Sequence, residues 1–288
     1  MSARVIHSVA GVRAAVAEAR KRGATVGLVP TMGALHAGHG SLIDTARRET
    51  DFVVVSVFVN PIQFDRKDDY ERYPQDIATD AEFCTARGVD LVFNPAAEEM
   101  YPQPQRSFVE VEGVTEHLCG AFRPGHFRGV ATVVLKLFNI VQPDRAYFGE
   151  KDAQQLAVIQ RMARDLNLPI EIVPVALVRE PDGLALSSRN RRLDAAERQA
   201  ALMLSRVLFA VRDRIGAGFV DAAQLKREAE AEFGREPGLR LEYFEIVDAD
   251  EMQPVERVAA PVRVAVAAWA GSTRLIDNVL CTPPGASR

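Results

Sequence analysis

Short apolar runs alternate with amphipathic stretches through the first 177 residues, and this alternation most restricts the possible folds. The run DFVVVSVFVN at 51–60 is apolar almost throughout, which is typical of a strand buried on both faces. Such strands, separated by helices, favour a parallel sheet that is covered on both sides. The sequence therefore predicts an α/β fold with a Rossmann-like, doubly wound parallel sheet. We predict strands at 24–30, 51–60, 89–95, 145–152 (with its exit loop) and 170–177, and helices at 9–22, 40–50, 78–88, 129–143 and 153–166.

The pattern changes after residue 177, where a polar, turn-rich stretch begins. Helical spacing follows at 194–215 and 220–233, and then three strand-like segments at 239–249, 262–270 and 273–281. The short AGS between the last two is typical of a hairpin turn. We therefore predict a Rossmann-like domain at 1–177 and a smaller α+β domain with an antiparallel sheet at 178–288.

Charge and cysteine content exclude several classes of protein. The net charge of −4 gives no electrostatic case for binding nucleic acid or a membrane surface. Residues 1–23 lack the continuous apolar core of a signal peptide and are predicted to be helical. Cys84, Cys119 and Cys281 have the spacing of neither a disulfide framework nor a metal site. We expect a soluble cytoplasmic protein.

The segment LVPTMGALHAGHGSLI, at 28–43, places two histidines where a strand gives way to a helix. In an open parallel sheet, ligands bind beyond the carboxyl ends of the strands. The start of the next helix favours anions, and Gly33, Gly38 and Gly40 allow close approach to the backbone. His36 and His39 are spaced to present two imidazoles to phosphate. Alternatively, the histidines only cap the helix; a zinc site with His117 or His126 has less support.

Two further segments leave the same predicted edge of the sheet. FGEKDAQQL, at 148–156, offers Lys151 for phosphate charge and Gln154 and Gln155 for hydrogen bonds to a small polar molecule. FVNPIQF, at 58–64, sets Asn60 and Gln63 among apolar residues, which suits a hydroxy-acid or amide ligand. Taken alone, these segments are also compatible with a solvated loop and a simple turn.

Hydroxyl and basic side chains cluster at the predicted domain boundary, in LALSSRNRRL at 184–193. Ser187, Ser188 and Arg189 form a set suited to clamping phosphate. The alternative is an N-cap followed by a basic first turn. However, basic residues just before a helix oppose the helix dipole, so an anionic partner is indicated.

Four segments in this order resemble the pantothenate synthetase (pantoate–β-alanine ligase) family: PTMGALHAGH, FVNPIQF, HFRGVATVVLKLFNIVQPDRAYFGEKDAQQL and LALSSRN. The His-x-Gly-His element alone marks a wider superfamily of nucleotidyl-transferring Rossmann-like enzymes. The resemblance implies an AMP-forming, ATP-dependent ligation with Mg²⁺, in which pantoate is adenylated and β-alanine then displaces AMP. It also implies a cytoplasmic homodimer, and from the charge we expect no nucleic-acid or membrane partner.

The resemblance also assigns roles to individual residues. Lys151, Ser187, Ser188, Arg189, His36 and His39 would serve catalysis at the phosphates, with His39 as the usual candidate proton donor. Gln63 and Gln155 would bind substrate, and Asn60 and Tyr73 are further substrate candidates. The implied ATP site comprises Met32, Gly33, Ala34, Leu35, His36, Ala37, Gly38, His39, Gly149, Glu150, Lys151, Asp152, Val178, Leu186, Ser187, Ser188 and Arg189.

Three positions depart from the family pattern, and none has one of these roles. Ala153 replaces a common aromatic residue, Arg192 a common tyrosine and Gln75 a common arginine. Two other functions stay open from the residues: a nucleotidyltransferase acting on a phosphorylated alcohol, and a non-catalytic nucleotide-binding regulator. A phosphate acceptor would call for more basic residues beside Gln63 and Gln155, and a regulator would need less charge at the phosphates.

Overall fold

The computed structural model describes residues 2–64, 70–71 and 73–286. The strands are β1 Arg4–Ile6, β2 Val26–Thr31, β3 Phe52–Val57, β4 Leu91–Phe93, β5 Arg145–Gly149, β6 Glu171–Val175, β7 Leu239–Asp248, β8 Val262–Ala270 and β9 Thr273–Cys281. The helices are α1 Val9–Lys21, α2 Ala37–Glu49, α3 Ile77–Thr85, α4 Ala97–Met100, α5 Cys119–Phe122, α6 His126–Val141, α7 Ala153–Asp165, α8 Ala195–Gly216 and α9 Ala222–Phe233. Short 3₁₀ turns cover Pro61–Gln63, Glu150–Asp152 and Ser188–Arg192.

The chain divides into two compact units according to its internal contacts. Unit 1 comprises residues 1–111, 123–150 and 158–176. Unit 2 comprises 112–122, 151–157 and 177–288. Two short segments that precede residue 178 thus belong to the second unit, and the division into functional domains at residue 178 stays a prediction.

Unit 1 contains a six-stranded sheet in the order β1-β4-β3-β2-β5-β6. All neighbouring strands run parallel. After β1 has taken the outer edge beside β4, the chain runs outward through β2, β3 and β4 in one direction and through β5 and β6 in the other, so the order reverses between β2 and β5. Ligands bind at such a switch point, beyond the carboxyl ends of the strands. The predicted doubly wound fold is confirmed, and Thr31 and Gly149 end the two strands at its switch point.

Branched apolar residues build the core of unit 1. Val29, Val55 and Val92 are fully buried and pack with Ile43 of α2 on one face of the sheet. Helices α1 and α6 pack on each other and on β2. A sheet covered on both faces requires strands that are apolar on both sides, which explains the continuous apolar runs of the sequence.

Unit 2 contains the three-stranded antiparallel sheet β7-β8-β9, as predicted. Ala270 pairs with Thr273, so β8 and β9 are joined by a two-residue hairpin in which Gly271 has φ +53°. One face packs against α8 and α9 around Leu204, Leu208, Phe233, Phe244 and Val264. The other face packs against Leu118, Ala153 and Ala157 through Tyr243, Val247, Ala265 and Ala267.

Three predicted elements differ from the structure. The N-terminal 23 residues are not one helix, because Arg4–Ile6 pairs with β4 and α1 begins only after its Ser8 cap. A strand of three residues is too short to show an alternation of apolar and polar residues. It is recognised only by its pairing with a distant strand. Helix α2 begins at Ala37 instead of residue 40, since His36 caps it. Helix α6 begins at His126 instead of residue 129.

The three cysteines are free thiols. Burial raises the pKa of Cys84 and of Cys281 to about 12, so both stay protonated at neutral pH. None of the helices in the described part of the chain combines the length and apolarity that crossing a membrane requires.

Candidate active site

The loop between β2 and α2 is held in place by a buried carboxylate. Asp80 of α3 is 2% exposed, and its two oxygens accept hydrogen bonds from the backbone amides of Ala34, at 3.1 Å, and Leu35, at 2.8 Å. Gly33 and Ala34 have φ values of +84° and +51°, so the loop turns through left-handed conformations. Burial raises the pKa of the Asp80 carboxyl, and the two amides oppose that rise. Asp80 therefore fixes the loop that leads to His36.

The two histidines of the loop cap α2 and contact each other. His36 Nδ1 accepts from the Gly38 amide at 3.1 Å, and His39 Nδ1 accepts from the His36 amide at 3.2 Å. Their ring centroids lie 4.1 Å apart. A ring nitrogen that accepts an amide hydrogen carries none itself, so this hydrogen-bond network assigns the proton of each neutral ring to Nε2. Capping and phosphate binding are thus compatible, because each ring caps through Nδ1 and carries a donor at Nε2.

Beyond β3, a 3₁₀ turn presents two buried amides. Asn60 is 1% exposed and Gln63 is 8% exposed. Asn60 Nδ2 donates to Gln63 Oε1 at 3.0 Å, and Gln63 Nε2 lies 3.0 Å from Met32 Sδ. The structure therefore joins two predicted substrate residues to the first residue of the predicted ATP loop.

Two further side chains support the turn, and the sequence had drawn attention to only one of them, His126, as a zinc candidate. Tyr101 donates its hydroxyl hydrogen to Asn60 Oδ1 at 2.7 Å, and burial raises the pKa of this phenol well above its ordinary value. His126, at the start of α6, donates from Nδ1 to the Gln63 carbonyl at 2.8 Å. Tyr101 is 41 positions from Asn60, so no local pattern could have connected them.

In unit 2, Lys151 lines a cleft together with several residues of the 184–193 segment. The polar side chains that share this cleft are Ser187, Arg189, Asn190, Arg274 and Asp277. The Lys151 ammonium lies 3.7 Å from a carboxylate oxygen of Asp152, and its side chain is 22% exposed. Three basic side chains lie in this cleft, but Arg274 is ion-paired with Glu242, so the cations suited to an anion such as phosphate are Lys151 and Arg189.

The turn that carries Ser187 to Arg189 is fixed by local hydrogen bonds. The Ser187 hydroxyl accepts from the Arg189 amide at 3.3 Å and so caps the 3₁₀ turn. Asn190 Nδ2 donates to Glu180 Oε1 at 2.5 Å and to the Ala185 carbonyl at 3.0 Å. Arg198 pairs with Glu180 at 2.6 Å. The capping interpretation of Ser187 is therefore correct, and it leaves the hydroxyl hydrogen available to donate.

The predicted site residues fall in both units. Unit 1 holds 32–39, Asn60, Gln63, Tyr73, Gly149 and Glu150, and the Tyr73 ring lies 6.0 Å from the Phe64 ring. Unit 2 holds Lys151, Asp152, Gln155, Val178 and 186–189, and the Leu186 amide bonds the Val178 carbonyl at 3.0 Å. The acidic stretch DDYERYPQD, at 68–76, contains Tyr73, and its Asp68, Asp69 and Arg72 lie outside the described residues.

Gln154 does not take the role that the sequence suggested for it. It is 6% exposed, and its amide nitrogen donates to the carbonyls of Val114, at 2.9 Å, and His117, at 2.7 Å. The interpretation of this amide as a small-molecule donor is wrong, because both hydrogens bind backbone. Gln155, its neighbour, is half-buried.

A family model described as pantoate-beta-alanine ligase matches residues 4–280. The chain belongs to the pantoate–β-alanine ligase family. It is accordingly a ligase that joins pantoate to β-alanine through an amide bond, and the resemblance predicted from four motifs is confirmed.

Relatives in the pantoate–β-alanine ligase family match almost the whole chain. The pantothenate synthetase of Moorella thermoacetica is 55% identical over 96% of this chain and 98% of its own. Pantothenate synthetase from Thermus thermophilus is 49% identical in sequence. Its crystal structure has a TM-score of 0.90, and the match covers 96% of this chain and 98% of that one. The Francisella tularensis enzyme, solved in complex with "Beta-gamma ATP" and β-alanine, is 33% identical. Its TM-score is 0.80, and the match covers 97% of this chain and 98% of that one.

Proposed function

We propose that this ligase condenses (R)-pantoate with β-alanine at the expense of ATP through an enzyme-bound pantoyl adenylate, for pantothenate and coenzyme A biosynthesis. The observation that carries the proposal is the pair of imidazoles, His36 and His39, that cap α2 through Nδ1 on the loop at the switch point of the sheet. The complex of the Francisella tularensis relative with an ATP compound and β-alanine supports the same substrates.

In the first step, a pantoate carboxylate oxygen attacks the α-phosphorus of ATP, and the bond from that phosphorus to the β-phosphate oxygen breaks. Pyrophosphate leaves, and a mixed anhydride forms. Such a displacement needs alignment and charge neutralisation more than covalent help from the protein. We assign these tasks to His36, His39, Lys151 and Arg189, with Ser187 and Ser188 donating to phosphate oxygens. The ATP loop 32–39 and residues 149–152, Val178 and Leu186 would hold the nucleotide.

In the second step, the neutral amine of β-alanine attacks the acyl carbon, and the bond from that carbon to the phosphate oxygen breaks. AMP leaves, and the nitrogen loses a proton. Gln63 and Gln155 would hold pantoate, and Gln63 would later meet β-alanine. Gln63 suits this role because it is uncharged, buried and fixed by Asn60 and His126. A nucleotidyltransferase with a phosphorylated acceptor would need cations here instead.

Mg²⁺ is expected to arrive with ATP. Among the residues that the structure describes, no group of three or more His, Cys, Asp or Glu side chains is placed to hold a metal ion. At nucleotide sites, Mg²⁺ usually takes most of its ligands from phosphate oxygens and water, so it does not require such a group of side chains. We assign it no protein ligand. The homodimer and the cytoplasmic location stay predictions from the resemblance.

Oxygen labelling tests the proposed route directly. Pantoate labelled with ¹⁸O in its carboxylate is incubated with the enzyme, ATP, Mg²⁺ and β-alanine. The masses of the phosphate-containing products are then measured by mass spectrometry. If pantoate attacks the α-phosphorus, one labelled oxygen ends in AMP, because the amine displaces it from the acyl carbon. Pantoate alone should already support exchange of labelled pyrophosphate into ATP.

Label in inorganic phosphate would instead indicate an acyl phosphate formed by attack at the γ-phosphorus. Unlabelled AMP would rule out attack by the carboxylate on the α-phosphorus. Exchange that is independent of pantoate, or supported by a phosphorylated alcohol, would favour the transferase function. ATP binding without any turnover would favour the regulator.

Replacing Gly129 by alanine is expected to impair pantoate binding. A Cβ atom at Gly129 in α6 would lie 2.6 Å from Gln63 Cα and closer still to the Ile62 carbonyl oxygen, so the turn with Gln63 must move. We expect the KM for pantoate to rise at least about tenfold, and overpacking to cost about 1–3 kcal/mol of stability. Steady-state kinetics and thermal unfolding measure both quantities.

The matched control is Gly216→Ala at the end of α8. A Cβ atom there meets nothing within 4 Å. We expect wild-type kinetics and unchanged or slightly higher stability. A Gly129→Ala enzyme with the wild-type KM for pantoate would contradict the assignment of Gln63.

A further inference from the structure

Strand β9, at the edge of the antiparallel sheet, carries two buried polar residues in succession. Asp277 is 2% exposed and Asn278 is 6% exposed. Successive strand residues point to opposite faces, so the two side chains lie back to back across the sheet. Polar groups at buried positions are costly unless they are hydrogen-bonded. Their partners therefore indicate what they are for.

Asp277 holds the segment that leads into Ser187. Its carboxylate accepts two hydrogen bonds from the Arg179 guanidinium, at 2.7 and 2.9 Å. Arg179 also donates to the Gly183 carbonyl at 3.0 Å and forms a backbone bridge with Ala185. The hydrogen bond and the bridge close the loop 179–185, the ion pair attaches the loop to β9, and Ser187 follows two residues later.

Asn278 holds Lys151 from the other face. Its Nδ2 donates to the Lys151 carbonyl at 2.9 Å, and its Oδ1 accepts from Arg263 Nη1 at 2.7 Å. Because a guanidinium can only donate, the bond to Arg263 fixes which amide atom faces which partner. Asn278 therefore has one orientation, and in it Asn278 anchors the backbone of Lys151.

The hydrogen bonds of Asp277 and Asn278 are not needed to stabilise the packing of the sheet. A buried ion pair is often matched or exceeded in stability by apolar side chains of similar volume. Apolar residues at 277 and 278 would still complete the strand, but they would release the 179–185 loop and the Lys151 carbonyl. Both released segments carry groups that must be held in place before charge develops at a phosphate.

We infer that Asp277 and Asn278 are positioning residues of the ligase. Together they hold Lys151 and the Ser187–Arg189 turn in the positions that ATP requires. The inference rests on the proposed function, since it gives these groups the ATP phosphates as their target. Neither residue is assigned a contact with substrate. Each acts through the backbone or side chain that it holds.

The test uses Asn278→Asp and Asp277→Asn in the full-length enzyme. Asn278→Asp keeps the acceptor for Arg263 and puts a charged carboxylate oxygen in place of the donor to the Lys151 carbonyl. Asp277→Asn keeps the shape and leaves Arg179 at most one of its two acceptors. We expect the KM for ATP in pantoate-dependent pyrophosphate exchange to rise about tenfold in each variant. Val264→Ala is the control, because Val264 is fully buried in the same sheet and belongs to neither segment.

A purely structural role predicts a different result. Loss of folded enzyme lowers kcat in proportion and leaves the KM for ATP unchanged, as expected for Val264→Ala. If Asn278→Asp and Asp277→Asn behave like that control, or like wild type, the inference is wrong. If either variant fails to fold, Asn278→Ser gives a second measurement, with the same expected rise in KM. Failure of exchange in the wild type would instead refute the proposed function.

Discussion

Replacing Lys151 by alanine is expected to lower the rate of pantoyl adenylate formation about 100- to 1,000-fold, the usual effect of losing one preorganised transition-state donor. The Lys151 side chain is only 22% exposed, and it shares its cleft with Ser187 and Arg189. Its charge would be needed most as the pyrophosphate leaves. Pantoate-dependent exchange of pyrophosphate into ATP measures this step without β-alanine.

Two further variants decide what Lys151 contributes. Lys151→Arg keeps the charge in a different shape and should recover part of the activity. Lys21→Ala removes an exposed lysine that pairs only with Glu18 at 2.7 Å among the contacts described, and it should behave as wild type. If Lys151→Ala keeps more than a third of the wild-type rate, Lys151 does not act at the phosphates.

Replacing His36 by asparagine is expected to lower the same rate about 100-fold while the protein stays as stable as wild type. Asparagine is a good N-cap, so its side-chain oxygen can accept the amide hydrogen that His36 Nδ1 accepts at 3.1 Å. It cannot replace the Nε2–H donor that the hydrogen-bond network assigns to the ring. The substitution therefore separates the capping role from the catalytic role.

His36→Ala is the matched comparison, because alanine removes both functions. It should lose about 1 kcal/mol of stability in addition to the activity. Urea unfolding and pyrophosphate exchange are measured on both variants. An active His36→Asn enzyme would show that the histidine is only a cap, which was the alternative left open by the sequence.

The sheet was predictable because its strands carry their own signal. Continuous apolar runs at β2 and β3 indicate burial on both faces wherever the strands come to lie. The three-residue β1 lacks such a signal and is defined by its pairing with β4, 87 positions away, as in Arg4 with Leu91. The start of α2 was predicted too late because histidine is not an ordinary cap, so capping stayed an alternative until the Nδ1 contact decided it.

The candidate site was predictable where one short segment supplies several groups. His36 and His39 lie within one turn, and so do Ser187 and Arg189. The supporting residues were not predictable, because their contacts are long-range. Asp80 meets Leu35 across 45 positions, and Arg179 meets Asp277 across 98. Such partners can be recognised only in the structure, where the fold has brought them together.

Unit 2 is assembled from three separate pieces of chain, and this limits its autonomy. Leu118, Ala153 and Ala157 come from the two pieces that precede residue 177, and they cover Val247 and Ala267 on one face of the antiparallel sheet. A fragment starting at 178 would expose that apolar face to water. During synthesis, the covering pieces emerge first and must wait for strands that are made roughly 100 residues later. The segment 178–288 is therefore not an independently transferable module.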